Sequence, residues 1–162
     1  MNVGSGRARR IGLVLAALRV FFGALFLAVW ADNLHKGLYS PGGYAGFVGQ
    51  YGDTTVFGFM AYFIKHIVIP HAAIFARGQM VVELAFIALP LLAGFLTPIA
   101  GIVAAGFSLN LLLSSWGSGE WQGVYLMMLA ISLTVVLTQS GRTLGVDALL
   151  ARREPRPKLP IY

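Results

Sequence analysis

Glu83 and Gln79 stand one helical turn apart in a stretch poor in polar groups, so a carboxyl and an amide share one face where little else can hydrogen-bond. Such a carboxyl must be paired, hydrogen-bonded or protonated, and each state suits it to holding or passing a proton. Asn110 and Arg19 are the polar residues expected to meet it. Arg19 shares a helix face with Gly23 inside the apolar run from Ile11 to Ala31, and either points into a cavity or snorkels toward the N-terminal end. His35, His66 and His71 all fall between the first two long apolar stretches. His66 and His71, as imidazoles able to accept and donate a proton, are the candidate relays beside Glu83. They are five residues apart with Pro70 between and no carboxylate, so no metal is expected. Tyr62, Phe63, Trp116 and Trp121 map to the same end, where rings either line a ligand site or anchor at headgroups. The candidate catalytic set is Glu83, His66 and His71. The candidate ligand-binding set is Arg19, Asn110, Tyr62, Trp116 and Trp121.

The elements that must hold these residues are membrane helices. The chain of 162 residues is 57% hydrophobic and 11% charged, and its mean hydropathy of +0.76 excludes a soluble reading. A hydrocarbon core of ~30 Å needs about 20 helical residues. The segments 11–31, 71–95, 98–116 and 121–139 qualify, predicting an all-α integral membrane four-helix bundle. Arg7, Arg9 and Arg10 before the first apolar run resemble a signal peptide, but Arg19 interrupts it, so a retained first span is expected. Gly94, Thr97 and Pro98 predict one tight turn, and Gly117 and Gly119 another. Within 32–70 the first half, rich in glycine, reads as irregular. Val56 to Ile69, apolar and too short to span, reads as an outer interfacial helix or lid between spans 1 and 2.

The basic residues cluster at both ends of the chain: Arg7, Arg9, Arg10, then Arg142, Arg152, Arg153, Arg156 and Lys158. Both termini are therefore expected in the cytoplasm and the 32–70 segment outside, in the cytoplasmic (inner) membrane of a prokaryote. The net charge of +6 is an orientation signal, and nucleic acid is not an expected partner. Absence of cysteine removes disulfides, iron–sulfur clusters and covalently attached haem, so redox chemistry would need a bound partner molecule. One membrane domain over 1–151 and a basic, disordered cytoplasmic tail over 152–162 are predicted, the tail because Pro155, Pro157 and Pro160 forbid a helix.

Several of these features, in order, resemble the DoxX/DoxD-like membrane protein family: Arg19 to Gly23 followed by Trp30 and Lys36, and GQMVVELAFIALPLLAGFLTPIAG at 78–101. Asn110 and GRTLGVDALL at 141–150 complete the pattern. One departure is Asn33, where a glycine is expected three residues before Lys36. The resemblance implies a four-helix bundle and, by analogy with the DoxD-type subunit of thiosulfate:quinone oxidoreductase, a membrane subunit of a quinone-linked oxidoreductase acting on reduced sulfur at the outer side. Quinone is then the cofactor implied, with neither metal nor haem. The separate small subunit of that enzyme is not part of this chain. The implied partners are membrane lipid, a second oxidoreductase subunit or soluble outer-side protein, and further copies of the chain. The alternative is a non-catalytic scaffold, assembly factor or chaperone of the same family, because a fold does not deliver an activity.

Overall fold

The computed structural model describes residues 3–153, and within them the chain is helical with no strand. Its helices are α1 (Val3–His35), α2 (Pro41–Thr54), α3 (Gly58–Ala93), α4 (Thr97–Ser115), α5 (Gly123–Thr138) and α6 (Val146–Arg153). Among the described residues three helices are long and apolar enough to cross a membrane: Gly6–His35 of α1, α3 and α4. The apolar α5 is shorter, at 16 residues. Large apolar side chains face outward along them, among them Val14, Phe21, Ile74, Ile102 and Leu137. That exposure is what acyl chains require and water would penalise.

The stretch expected to form a separate lid is instead the first part of α3, which runs unbroken for 36 residues, about 54 Å at 1.5 Å per residue. Pro70 does not end the helix, and neither does Pro90. A proline lacks its N–H and crowds the carbonyl four residues back. Those carbonyls, of His66 and Phe86, fall in two wide π-turns, Ile64–Val68 and Val82–Ala88. In each, the residue just before the proline bonds five residues back, Ile69 N–H to Ile64 O and Leu89 N–H to Leu84 O. The helix thus widens by one residue and absorbs the ring.

The glycine-rich first half of the connection is also ordered, as α2. Ser40 caps it, its Oγ accepting from Gly43 N–H at 3.1 Å, and Pro41 occupies the first turn. Glycine serves approach here: a Cβ on Gly52 would stand 2.9 Å from the Ile64 side chain. Tyr44, Val48 and Tyr51 of α2 bury against Met60, Ile64, Val68 and Ala72 of α3. A second apolar cluster, with Phe22, Phe26, Ile87, Leu91, Ala104 and Val135, joins α1, α3, α4 and α5.

The turn between α3 and α4 is the tight one expected. Gly94 takes φ +66 after the last turn of α3, and Phe95 N–H bonds Pro90 O at 3.0 Å. Gly12 near the start of α1 abuts Thr143. The start of α1 and the α5–α6 connection therefore lie at one end of the molecule, with the α1–α2 and α4–α5 connections at the other. Of the expected tail over 152–162, Arg152 and Arg153 instead continue α6, and residues 154–162 lie outside the described residues.

Candidate functional site

Glu83 is buried, 1% exposed, inside the π-turn ahead of Pro90. Wide turns of this kind are frequent at functional sites because they re-aim a side chain. Gln79, one turn earlier as its spacing requires, donates from Nε2 to one Glu83 oxygen at 2.6 Å. The Tyr39 hydroxyl donates to the other. Neither Asn110 nor Arg19 is the hydrogen-bond partner.

Tyr39 reaches Glu83 because α1 stops at His35 and the chain turns back through Gly37, φ +70, with Leu38 N–H bonding Asn33 O at 2.9 Å. Trp30 fixes α1 against α3 at this level, its indole N–H donating to Met80 O at 3.2 Å and its ring centroid 6.5 Å from that of Tyr39. Burial, and then the hydrogen bond to Glu83, push the Tyr39 phenol far above its ordinary range. Burial with Glu83 nearby pushes Tyr44 up to about 12. Both phenols stay protonated at neutral pH, and Tyr39 is the one that donates to Glu83.

Glu83 and Gln79 form part of the wall of a cavity of about 370 Å³ that is otherwise largely apolar, with Phe22, Phe26, Phe47, Phe107 and Met128 among its lining. Asn33 and Tyr125 supply its other polar groups. Leu25, Val29 and Val124 line it and are also exposed, so it opens sideways between α1 and α5 on a face suited to acyl chains. A second cavity of about 270 Å³ shares Phe47, Gln79 and Leu111 with the first and adds Tyr44, Tyr51, Asn110 and Ser114. Asn110 therefore lines the neighbouring cavity, of which Gln79 is also part of the wall.

At the other end Arg19 is 1% exposed and lies against Gly94, where a Cβ would come 2.5 Å from Nη1. Gly94 is eleven residues beyond Glu83, about 16 Å along α3, so the two buried charges are separate sites. The charge facing Arg19 is that of Asp147, itself 1% exposed. Asp147 caps α4 from fifty residues away, accepting from Leu96 N–H at 2.9 Å and Thr97 N–H at 3.0 Å. Its own N–H donates to Gly94 O at 2.8 Å. Arg19 Nε and Nη1, Thr97 Oγ1 and Ser140 Oγ are buried here without a hydrogen-bond partner among the described residues.

The remaining sequence candidates do not converge on Glu83. Tyr62 and His66 are exposed on α3 with their rings 4.5 Å apart. His71, also exposed, uses Nδ1 on its own helix at Ile67 O, 2.8 Å away. Trp116 packs beside Phe57, its centroid 6.1 Å away, and Trp121 is 72% exposed. None of these five lines either cavity. Spacing missed Tyr125 and Tyr51, which reach the cavities from other helices, and Tyr39, which reaches Glu83 from a loop; only Gln79 carried a local signal.

The family model described as "TQO small subunit DoxD" matches residues 14–159, most of the chain. The chain belongs to the DoxD family. Since that description is itself of a small subunit, the expectation that the small subunit is a separate chain is not supported. No curated protein and no solved structure matches it. The DoxD match takes in both the Arg19–Asp147 end and the cavities around Glu83.

Proposed function

We propose that this DoxD protein is the membrane subunit of a thiosulfate:quinone oxidoreductase and that it supplies the quinone side. On this reading α1, α3, α4 and α5 cross the cytoplasmic membrane of a prokaryote as a four-helix bundle, with both termini in the cytoplasm. The quinone enters from the bilayer into the larger cavity. The observation that carries the reading is a buried carboxyl, held by a phenol and an amide, in the wall of an aromatic cavity opening sideways. A volume of about 370 Å³ is within the range of small-molecule sites. A quinone suits such a space: its ring and tail are apolar, and its carbonyl oxygens need donors, which Asn33, Gln79 and Tyr125 in the lining offer.

The sulfur anion is placed elsewhere by the same chemistry. No lysine, arginine or histidine is among the residues lining either cavity, and Glu83 would oppose an anion. Thiosulfate is then oxidised on a partner subunit or outer-side protein, and electrons reach the quinone held here. Glu83 holds or passes a proton as the quinone oxygens gain charge.

A scaffold role is favoured by a different feature. Phe59, Tyr62 and Ile67 expose an apolar face on the part of α3 that packs against α2, which would suit docking to another subunit without chemistry. One experiment separates the two. In native membranes carrying this chain, thiosulfate should drive quinol formation, and Glu83→Leu should abolish it while the protein remains assembled. Thiosulfate-driven reduction that survives Glu83→Leu, together with purified protein that binds no quinone, would leave the scaffold.

A further inference from the structure

Glu120, in the loop between α4 and α5, is exposed, yet both its oxygens are engaged. One accepts from the Tyr51 hydroxyl at 2.9 Å and the other from the Tyr125 hydroxyl at 2.6 Å, and the two phenol oxygens stand 3.5 Å apart. Tyr125 lines the larger cavity and Tyr51 the smaller. A solvent-reaching carboxylate is thus one hydrogen bond from the wall of each cavity. The loop holds it there: Gln122 Nε2 donates to Ser115 O at 2.9 Å and to Glu120 O at 3.1 Å. The groups facing it are Tyr51 from α2 and Tyr125 from α5, both neutral, and no described residue forms an ion pair with it. Burial first, then the bonds to Tyr125 and Glu120, raise the Tyr51 phenol far above its ordinary range, so it stays a donor.

We propose that Glu120 is the proton port of the cavity, relaying protons from the aqueous phase at this end through Tyr125 to a quinone oxygen. This rests on the quinone reading above. Reduction of a quinone to a quinol takes two electrons and two protons. The electrons come from two thiosulfate anions, which join through a new sulfur–sulfur bond to give tetrathionate. Glu120 takes one proton from water. The Tyr125 hydroxyl gives its hydrogen to the quinone oxygen and receives the one held by Glu120, which returns to the carboxylate. The second proton passes to the other oxygen from the Glu83 carboxyl in the cavity wall, which takes a replacement proton from water between turnovers.

Glu120→Gln and Tyr125→Phe test this in the assembled complex in native membranes, with thiosulfate and decyl-quinone. Quinone affinity, followed by quenching of Trp30 in a protein lacking the other tryptophans, should stay within about twofold in Glu120→Gln and fall about fivefold in Tyr125→Phe, which removes a donor from the cavity wall. Quinol formation should fall about tenfold or more, added acetate or azide should restore part of it in Glu120→Gln, and Glu120→Asp should keep most of the rate. In the ligand-free protein the infrared C–O band of Tyr125 should follow protonation of Glu120, and that response should vanish in Glu120→Gln. Unchanged rates in both variants would overturn the relay. So would parallel losses of affinity, melting temperature and rate with no rescue by acetate, which describe a structural clamp. If the wild type itself neither binds nor reduces quinone, the underlying reading fails and the relay with it, a result distinct from both.

Discussion

Arg19 and Glu83, both buried, sit in opposite kinds of surroundings. Arg19 is enclosed where α1, the α3–α4 turn and α6 meet, opposite Asp147, and a methyl group on Gly94 or Gly141 would collide with the groups there. Glu83 lies about 16 Å away along α3, held by two neutral donors at the edge of open space. The difference separates two uses of buried polarity. A charge facing its counter-charge amid close packing fastens helices together, whereas a carboxyl held by neutral donors in a cavity wall is free to exchange a proton.

The largest expected effect is at the closed end. Asp147→Ala removes both caps on α4 and leaves Arg19 facing no counter-charge, a change expected to cost about 3 kcal/mol or more in thermal or denaturant unfolding in detergent. Gly141→Ala should also destabilise, by about 1 to 3 kcal/mol, because the new methyl meets Thr97 Oγ1 and Asp147. Substitution at the open end should act on ligand instead. Glu83→Leu should weaken quinone binding more than tenfold while shifting the melting temperature far less than Asp147→Ala, and the reverse order would dissolve the contrast. Tyr39→Phe removes one donor to Glu83 and should weaken quinone binding by about 1 kcal/mol, roughly fivefold. Paired Arg19→Gln and Glu83→Gln substitutions should add to within about 0.5 kcal/mol, since the groups share no partner. A larger coupling would mean that the two ends form one network. The smallest effect belongs to His66→Ala, which should leave quinone affinity unchanged because His66 stacks on Tyr62 away from both cavities.

How much of this was legible depended on sequence distance. Glu83 and Gln79 lie on one face because four residues make one turn, and nothing further along the chain could alter that. Gly94 with Thr97 and Pro98 announced their turn for a similarly local reason. The lid was misread because Pro70 looks like a stop. Whether a helix ends there or widens depends on the packing of α2, which the proline itself does not encode. The glycines of α2 read as irregular structure for the same reason, since Gly52 has meaning only beside Ile64. Asp147 and Tyr39 were hidden by separation: each reaches its partner across 44 or more residues. The exposed aromatics near His66 misled because rings at a membrane interface and rings around a ligand have the same composition.

A photoreactive quinone in native membranes would test the cavity most directly, with the labelled residues located by mass spectrometry. Labelling is expected on the cavity wall, at residues such as Phe26, Asn33, Phe107 and Tyr125, and should be displaced by unlabelled quinone and lost in Glu83→Leu. Saturable labelling confined to the outward face of α3 around Tyr62 and His66, or to the Arg19–Asp147 end, would contradict it.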